Sequence, residues 1–300
     1  MTGLISLLQD EEIQDPDEEC FILFSSKPDN RDLGFVSRTD STVSVTINSH
    51  DFTIHQAPSL LTSTRETGTT GAVLWKVTPL LAAWMTHPSN IVTKHILKNT
   101  STVVELGAGT SGVLALSFSS FVSKYFATDQ DYCLKLLRKN LSENSSSSEV
   151  STQSKGRPSA SKRSKRTTET SQAREKITIL PLDWQLTEVS SIPDLKDKII
   201  NLIIAADCIY NESLVDPLVD TMVDLSKLNK DESDKDHESD TLVLIAQELR
   251  SPDVLEAFLK AFHAKFRVWR LPDKLFKDCG DGGRGLLEGS GYVVHIGILR

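Results

Sequence analysis

Residues 103–112 read Val-Val-Glu-Leu-Gly-Ala-Gly-Thr-Ser-Gly, and they leave this chain few architectures. An apolar run ends in an acid, Glu105; Gly107, Gly109 and Gly112 follow, and an apolar helical stretch begins at Val113. Glycine lets the backbone enter left-handed angles and lets a ligand approach with no Cβ in the way. The helix start adds unpaired N–H groups for a polar or anionic group. The stretch therefore predicts a buried strand, a tight turn and a helix, with a nucleotide-like cofactor cradled over the turn.

Two cofactor classes suit that cradle. The glycine spacing is G-x-G-x-x-G and Asp129 lies 22 residues beyond Gly107, which is also the dinucleotide pattern. Glu105 favours the other class. S-adenosyl-L-methionine carries an ammonium and a sulfonium at its amino-acid end, and a carboxylate attracts them; a dinucleotide would place diphosphate there and be repelled. A nicotinamide-dependent oxidoreductase stays as the alternative, without a recognisable catalytic His or Tyr-Lys pair. A binding scaffold that has lost catalysis is the other, although Gly107, Gly109, Asp129 and Asp207 are all present.

The remaining pattern predicts βα units. Apolar runs at 125–129, 177–180, 199–206 and 242–246 read as strands, with two more at 266–269 and 292–296. Asp216-Pro217 and Ser251-Pro252 each pair a capping residue with proline at a helix start. Continuous apolar strands alternating with helices imply a parallel sheet covered on both faces. Upstream, 20–56 looks β-rich: Phe21–Phe24 is a short apolar run, and Val43, Val45 and Ile47 alternate with Ser44 and Thr46 before the turn at 48–51. Residues 74–85 suit a helix that tolerates Pro79 early on. The expected division is an acidic start with a β-hairpin extension over 1–69, and a main domain over 70–300. Residues 143–175, rich in Ser, Thr, Lys and Arg, predict a disordered insert, and 229–240 a shorter acidic loop.

Charge and cysteine usage narrow the function. A net charge of −8 argues against nucleic acid held over the whole surface, and an acidic body favours a basic protein partner. Within 143–176 the balance reverses, with eight Lys and Arg against four Glu; Lys162–Arg166 suits a nuclear address or a docking element, or simply a solvated basic loop. Four separated cysteines signal no zinc site or disulfide framework. No signal peptide or membrane span is expected. A cytoplasmic monomer with access to the nucleus is the expectation.

In an open α/β sheet, ligands bind beyond the carboxyl ends of the strands. There lie Glu105 to Gly109, Asp129, Asp183-Trp184, Ala206-Asp207 and Gln247-Glu248. Asp129 has acceptor capacity for both ribose hydroxyls, though it also suits a helix cap. Asp183 can accept from an adenine amino group, and Trp184 offers a flat face to a purine, or to the core. Asp207 and Tyr210 are placed to hold an amine, or Asp207 caps the next helix. Cys208 reads as a small buried hydrophobe.

Glu105–Thr110, Asp129, Asp183-Trp184, the run Asp207-Cys208-Ile209-Tyr210 and the upstream Val73-Leu74-Trp75 resemble the family-16 seven-β-strand protein-lysine methyltransferases over about 70–270. The β-rich start and Gly282–Gly285 are most similar to the fungal ribosomal branch of that family. The resemblance implies a Rossmann-like, seven-stranded, S-adenosylmethionine-dependent methyltransferase sheet. It implies cofactor contacts from Trp75, Gly107, Ala108, Gly109, Asp129, Trp184 and Ala206. Its implied substrate is a lysine of a large-subunit ribosomal protein of the L1 type. Ser111 departs from the glycine of many relatives, and the basic insert is a further departure.

Overall fold

A computed structural model of the chain describes residues 2–8, 11–26, 34–62, 69–146, 176–228 and 241–300. The Lys162–Arg166 run, the 229–240 loop and most of the expected insert lie outside the described residues.

The chain begins with helices α1 (Thr2–Leu7) and α2 (Pro16–Ser25), then a hairpin of β1 (Thr42–Ile47) and β2 (His50–His55). Helices α3 (Val77–Met85) and α4 (Ile91–Ile96) lead into the main sheet: β3 (Thr102–Leu106), α5 (Val113–Phe118), β4 (Lys124–Asp129), α6 (Asp131–Ser146), β5 (Ile177–Pro181) and β6 (Leu202–Ala206). Next come α7 (Val215–Lys227), β7 (Leu242–Glu248), α8 (Pro252–Lys265), β8 (Phe266–Arg270), α9 (Asp273–Lys277) and β9 (Tyr292–Leu299). The seven strands are ordered β5-β4-β3-β6-β7-β9-β8.

Strands β3, β6 and β7 are buried throughout, which their unbroken apolar runs anticipate. Side chains alternate between the two covered faces. Val103 belongs to the core that includes Leu81, Trp84 and Phe118 on one side, and Val104 to the core that includes Ile203, Phe258 and Phe262 on the other. The chain leaves β3 towards β4 and β5 on one side and returns to β6 on the other, which opens a crevice above β3 and β6.

Four expectations need correction. The sheet is not all parallel: β9 pairs antiparallel with both β7 and β8. Phe21–Phe24 lies in α2 and not in a strand, because Asp15 caps it, accepting from the N–H of Asp17 at 2.9 Å, with Pro16 at the first position. Asp216 sits inside the first turn of α7 and is not its cap; the preceding turn is capped by Asn211. Residues 143–146 belong to α6, so the expected insert boundary falls too early.

Contacts also cross the expected 69/70 boundary. Ile13 N–H donates to Val268 O at 2.8 Å, extending the edge strand β8. His295 Nε2 and Glu19 Oε1 are 2.9 Å apart in the interior. Behind the hairpin, Asn140 and Asn144 of α6 act as a surrogate strand for β2. Asn140 Oδ1 accepts from His55 N–H at 2.8 Å, and Asn144 Oδ1 accepts from Thr53 N–H at 2.9 Å. Asn140 Nδ2 also donates to Thr110 O at 2.6 Å, which ties the hairpin to the glycine turn. Among the described residues, no helix is long and apolar enough to cross a membrane.

Candidate active site

A cleft of about 740 Å³ opens over the carboxyl ends of β3, β4 and β6. Its floor is the glycine turn, where Gly107 and Gly109 have φ of 72° and 61°. A Cβ on Gly107 would stand 2.6 Å from Cys208 Sγ and 3.3 Å from the Trp184 ring, and one on Gly109 would meet Gly71 O at 3.0 Å. Only glycine leaves that floor open.

Asp129, at the end of β4, braces the turn. Its Oδ2 accepts from Gly109 N–H and its Oδ1 from Gln130 N–H, both at 2.7 Å. Burial raises its pKa, while those two bonds and the Cys133 thiol pull the other way. Three donors on about four acceptor positions leave capacity for a ribose hydroxyl. Asp183 lines the same cleft with Oδ1 taken by Gln185 N–H at 2.9 Å. Trp184 both lines the cleft and packs on the core.

On the other wall stand Trp75, Ala206, Asp207 and Tyr210. Asp207 is buried and holds a left-handed backbone, φ 61°. Aspartate tolerates that region better than most residues, and strain of this kind costs about 1–3 kcal/mol. The residue is no helix cap. Its Oδ1 accepts from Arg250 Nη1 at 2.7 Å, Gln247 Nε2 at 3.0 Å and Glu248 N–H at 3.4 Å, and its Oδ2 accepts from Arg250 Nη2 at 2.5 Å. Arg250 Nη2 also donates to Glu248 Oε2 at 2.8 Å, and its guanidinium lies 4.6 Å from the Trp75 ring centroid. Burial opposes the charge on Arg250, but Asp207 and then Glu248 push its pKa upward. Gln247 also bridges both backbone groups of Ile209, bracing the 207–210 loop. Tyr210 has its pKa raised by burial and partners the Thr70 side chain.

Glu105 behaves differently from the other expected cofactor residues. Trp75, Gly107, Ala108, Gly109, Asp129, Asp183, Trp184 and Ala206 line the cleft together with Asp207 and Tyr210. The Glu105 carboxyl does not; it is buried and accepts from Tyr125 Oη at 2.8 Å. Desolvation raises its pKa to about 8, with the Tyr125 bond opposing. Cys208 is buried with its thiol pushed well up by desolvation, and Sγ donates to Leu106 O at 3.2 Å, so it is inert packing. Arg250 went unread in the sequence; its signal was a base two residues beyond Glu248 at the end of a strand. Tyr132, whose hydroxyl accepts from Gly71 N–H at 3.2 Å at the cleft edge, gave no signal beyond its nearness to Asp129.

A sheet of this order with one reversed strand, and a glycine cleft at its switch point, define a Rossmann-like methyltransferase fold. A family model for lysine methyltransferases matches residues 55–155 and 160–260, and the chain belongs to that family. It is 26% identical to the ribosomal lysine N-methyltransferase 5 of Vanderwaltozyma polyspora, over 92% of this chain and 97% of that protein. It is 31% identical to the ribosomal lysine N-methyltransferase 5 of Kluyveromyces lactis, over 77% and 81%. A diaminohydroxyphosphoribosylamino-pyrimidine deaminase of Schizosaccharomyces pombe is 27% identical over 85% of this chain, which spans 53% of that longer protein.

Proposed function

We propose that the chain transfers a methyl group from S-adenosylmethionine to a lysine ε-amine of a large-subunit ribosomal protein of the L1 type. The observation that carries this reading is one cleft with a glycine floor and Asp129 on one side, and Asp207 with Tyr210 on the other. The names of the fungal relatives support a ribosomal substrate, and the net charge of −8 suits a basic partner.

The residues fit the cofactor. Gly107 and Gly109 let it approach the backbone, Asp129 takes a ribose hydroxyl, Trp184 covers the purine, and Asp183 accepts from its amino group. When bound, S-adenosylmethionine supplies an electrophilic methyl on a sulfonium. Asp207 orients the lysine amine through one oxygen, and Tyr210 walls the approach. Alignment of this kind lowers a barrier by about 7–11 kcal/mol. The amine must arrive neutral, so Asp207 serves as an orienter and not as a base. The test is to incubate the protein with labelled cofactor and isolated large-subunit proteins of a fungal ribosome. Label on a lysine of the L1-type protein is expected; label on none of them would refute the substrate reading.

A further inference from the structure

Resting on the methyltransferase reading above, we propose that Arg250 is the positioning residue of the transfer site. It fixes the plane of the Asp207 carboxylate, offsets that carboxylate's charge, and holds Trp75 in the same wall of the cleft.

The geometry argues each step. Oδ1 of Asp207 already takes three donors, from Arg250, Gln247 and the Glu248 backbone, whereas Oδ2 takes one, Arg250 Nη2. These four donors match the roughly four acceptor positions of a carboxylate, with Oδ2 the less loaded oxygen, and Asp207 lines the cleft. The guanidinium grips both oxygens at 2.7 and 2.5 Å, a fork that fixes the carboxylate plane as no ammonium would. The same group stacks on Trp75, whose other neighbour is the Phe35 ring at 4.4 Å between centroids. Trp75 Nε1 donates to Thr70 O at 3.0 Å, and Thr70 partners Tyr210. One cation therefore ties together the amine-orienting acid, the aromatic wall and the tyrosine.

Charge explains why an arginine is wanted there. A lone buried carboxylate beside the substrate amine would hold it as ammonium, which has no lone pair to give. Paired with Arg250, Asp207 keeps its acceptor direction while its charge is largely cancelled. Glu248, also on Arg250 at 2.8 Å, leaves the trio with a net negative charge one step further back. The ionisable groups acting on this loop include Cys208 and Tyr210 of the loop itself, and Glu105 and Asp129 on β3 and β4. None of these four can carry a positive charge, so none of them takes the place of Arg250.

Arg250→Met and Arg250→Lys separate positioning from plain structure. Met keeps volume and removes charge; Lys keeps charge and loses the fork. For Met, the acid limb of kcat/KM should move upward by about one pH unit or more, the usual effect of removing an adjacent opposite charge. For Lys, kcat should fall with the limb in place. A second measurement needs no turnover. Arg250→Met leaves two like-charged carboxylates, Asp207 and Glu248, buried side by side, so its melting temperature should fall between pH 5 and 8 relative to wild type, and adding Glu248→Gln should flatten it. Binding of S-adenosylhomocysteine by calorimetry reports whether each variant keeps its cofactor cleft. A Met variant whose rate limb and melting profile both run parallel to wild type overturns the proposal. Wild-type protein inactive on every ribosomal protein would instead overturn the substrate reading, and the melting profiles would still decide the role of Arg250.

Discussion

Glu105 is a carboxyl held at 2% exposure with Tyr125 donating to it, and desolvation first of all raises its pKa to about 8. The folded chain then keeps a proton there that the unfolded chain gives up above its ordinary carboxylate pKa. Stability should therefore decline as pH rises from about 4.5 to about 8. Glu105→Gln removes the titration and keeps an acceptor for Tyr125, so its melting temperature should vary less over that window; a slope equal to wild type by calorimetry would show that Glu105 does not titrate there. Asp207→Asn tests the transfer itself. Asparagine accepts the left-handed φ, so folding and cofactor binding should survive, while turnover falls about tenfold or more, given that small misplacements near reacting atoms cost on the order of a hundredfold. Near-wild-type methylation of the ribosomal substrate by a folded, cofactor-binding variant would refute that role. Asp129, Asp183 and Asp207 were legible as cleft residues because acids at consecutive strand ends beside a glycine turn have few purposes, whereas Glu105 was not, since its carboxyl turns inward to Tyr125. Arg250 was not, because its partners Asp207 and Trp75 lie 43 and 175 positions away in sequence, a juxtaposition that only the sheet order creates.

Among the elements, α2 shows how local signals compete. The apolar run Phe21–Phe24 reads as a strand by composition, yet Asp15 and Pro16 start a helix and Glu19, Cys20 and Leu23 face inward from it. Phe21, by contrast, is 74% exposed, which a buried strand would not permit. The helix is pinned by Glu19, 2.9 Å from His295 and 3.4 Å from Arg270. Burial opposes ionisation of Glu19, but His295 and then Arg270 outweigh it and leave its pKa lowered. That contribution is present at neutral pH and is lost as pH falls through the carboxylate range. Glu19→Gln should cost about 3–5 kcal/mol at neutral pH, the usual loss on breaking a buried pair, and the gap from wild type should narrow on acidification. Denaturant titrations at pH 7 and pH 4 check both; an equal gap at the two pH values would show that the ionic pair is not what pins the helix. Strands β3 to β9 were legible because their apolar runs are continuous and bounded. The reversal of β9 was not, since side-chain alternation carries no direction.

Taken whole, the molecule packs elements of its first 69 residues against both faces of the main sheet. Ile13, Cys20 and Leu23 complete the core on one face of the sheet, and the hairpin is bound through Asn140 and Asn144 on the other. A chain shortened to begin at residue 27 exposes the pocket left by Ile13 and Leu23, each worth about 1.5–3 kcal/mol when buried. It also strands His295 without Glu19. Its melting temperature should drop by about 10 °C or more, at about 2–4 °C per kcal/mol for a domain of this size. Scanning calorimetry on the shortened chain tests this, and an unchanged transition would restore the boundary at 69/70.

The place of β9 between β7 and β8 has a consequence for biosynthesis. Strand β8 pairs with β9 alone within the sheet, and Glu19 waits for His295, made 276 residues later. While Tyr292–Leu299 are still inside the ribosome, β7 has an open edge, β8 has no strand of the main sheet beside it, and Glu19 lacks His295. Domains otherwise tend to assemble from the N-terminus as they emerge. Here the nascent chain presents an unpaired, apolar strand edge until Tyr292–Leu299 clear the tunnel, which makes that interval the one in which a chaperone is most needed.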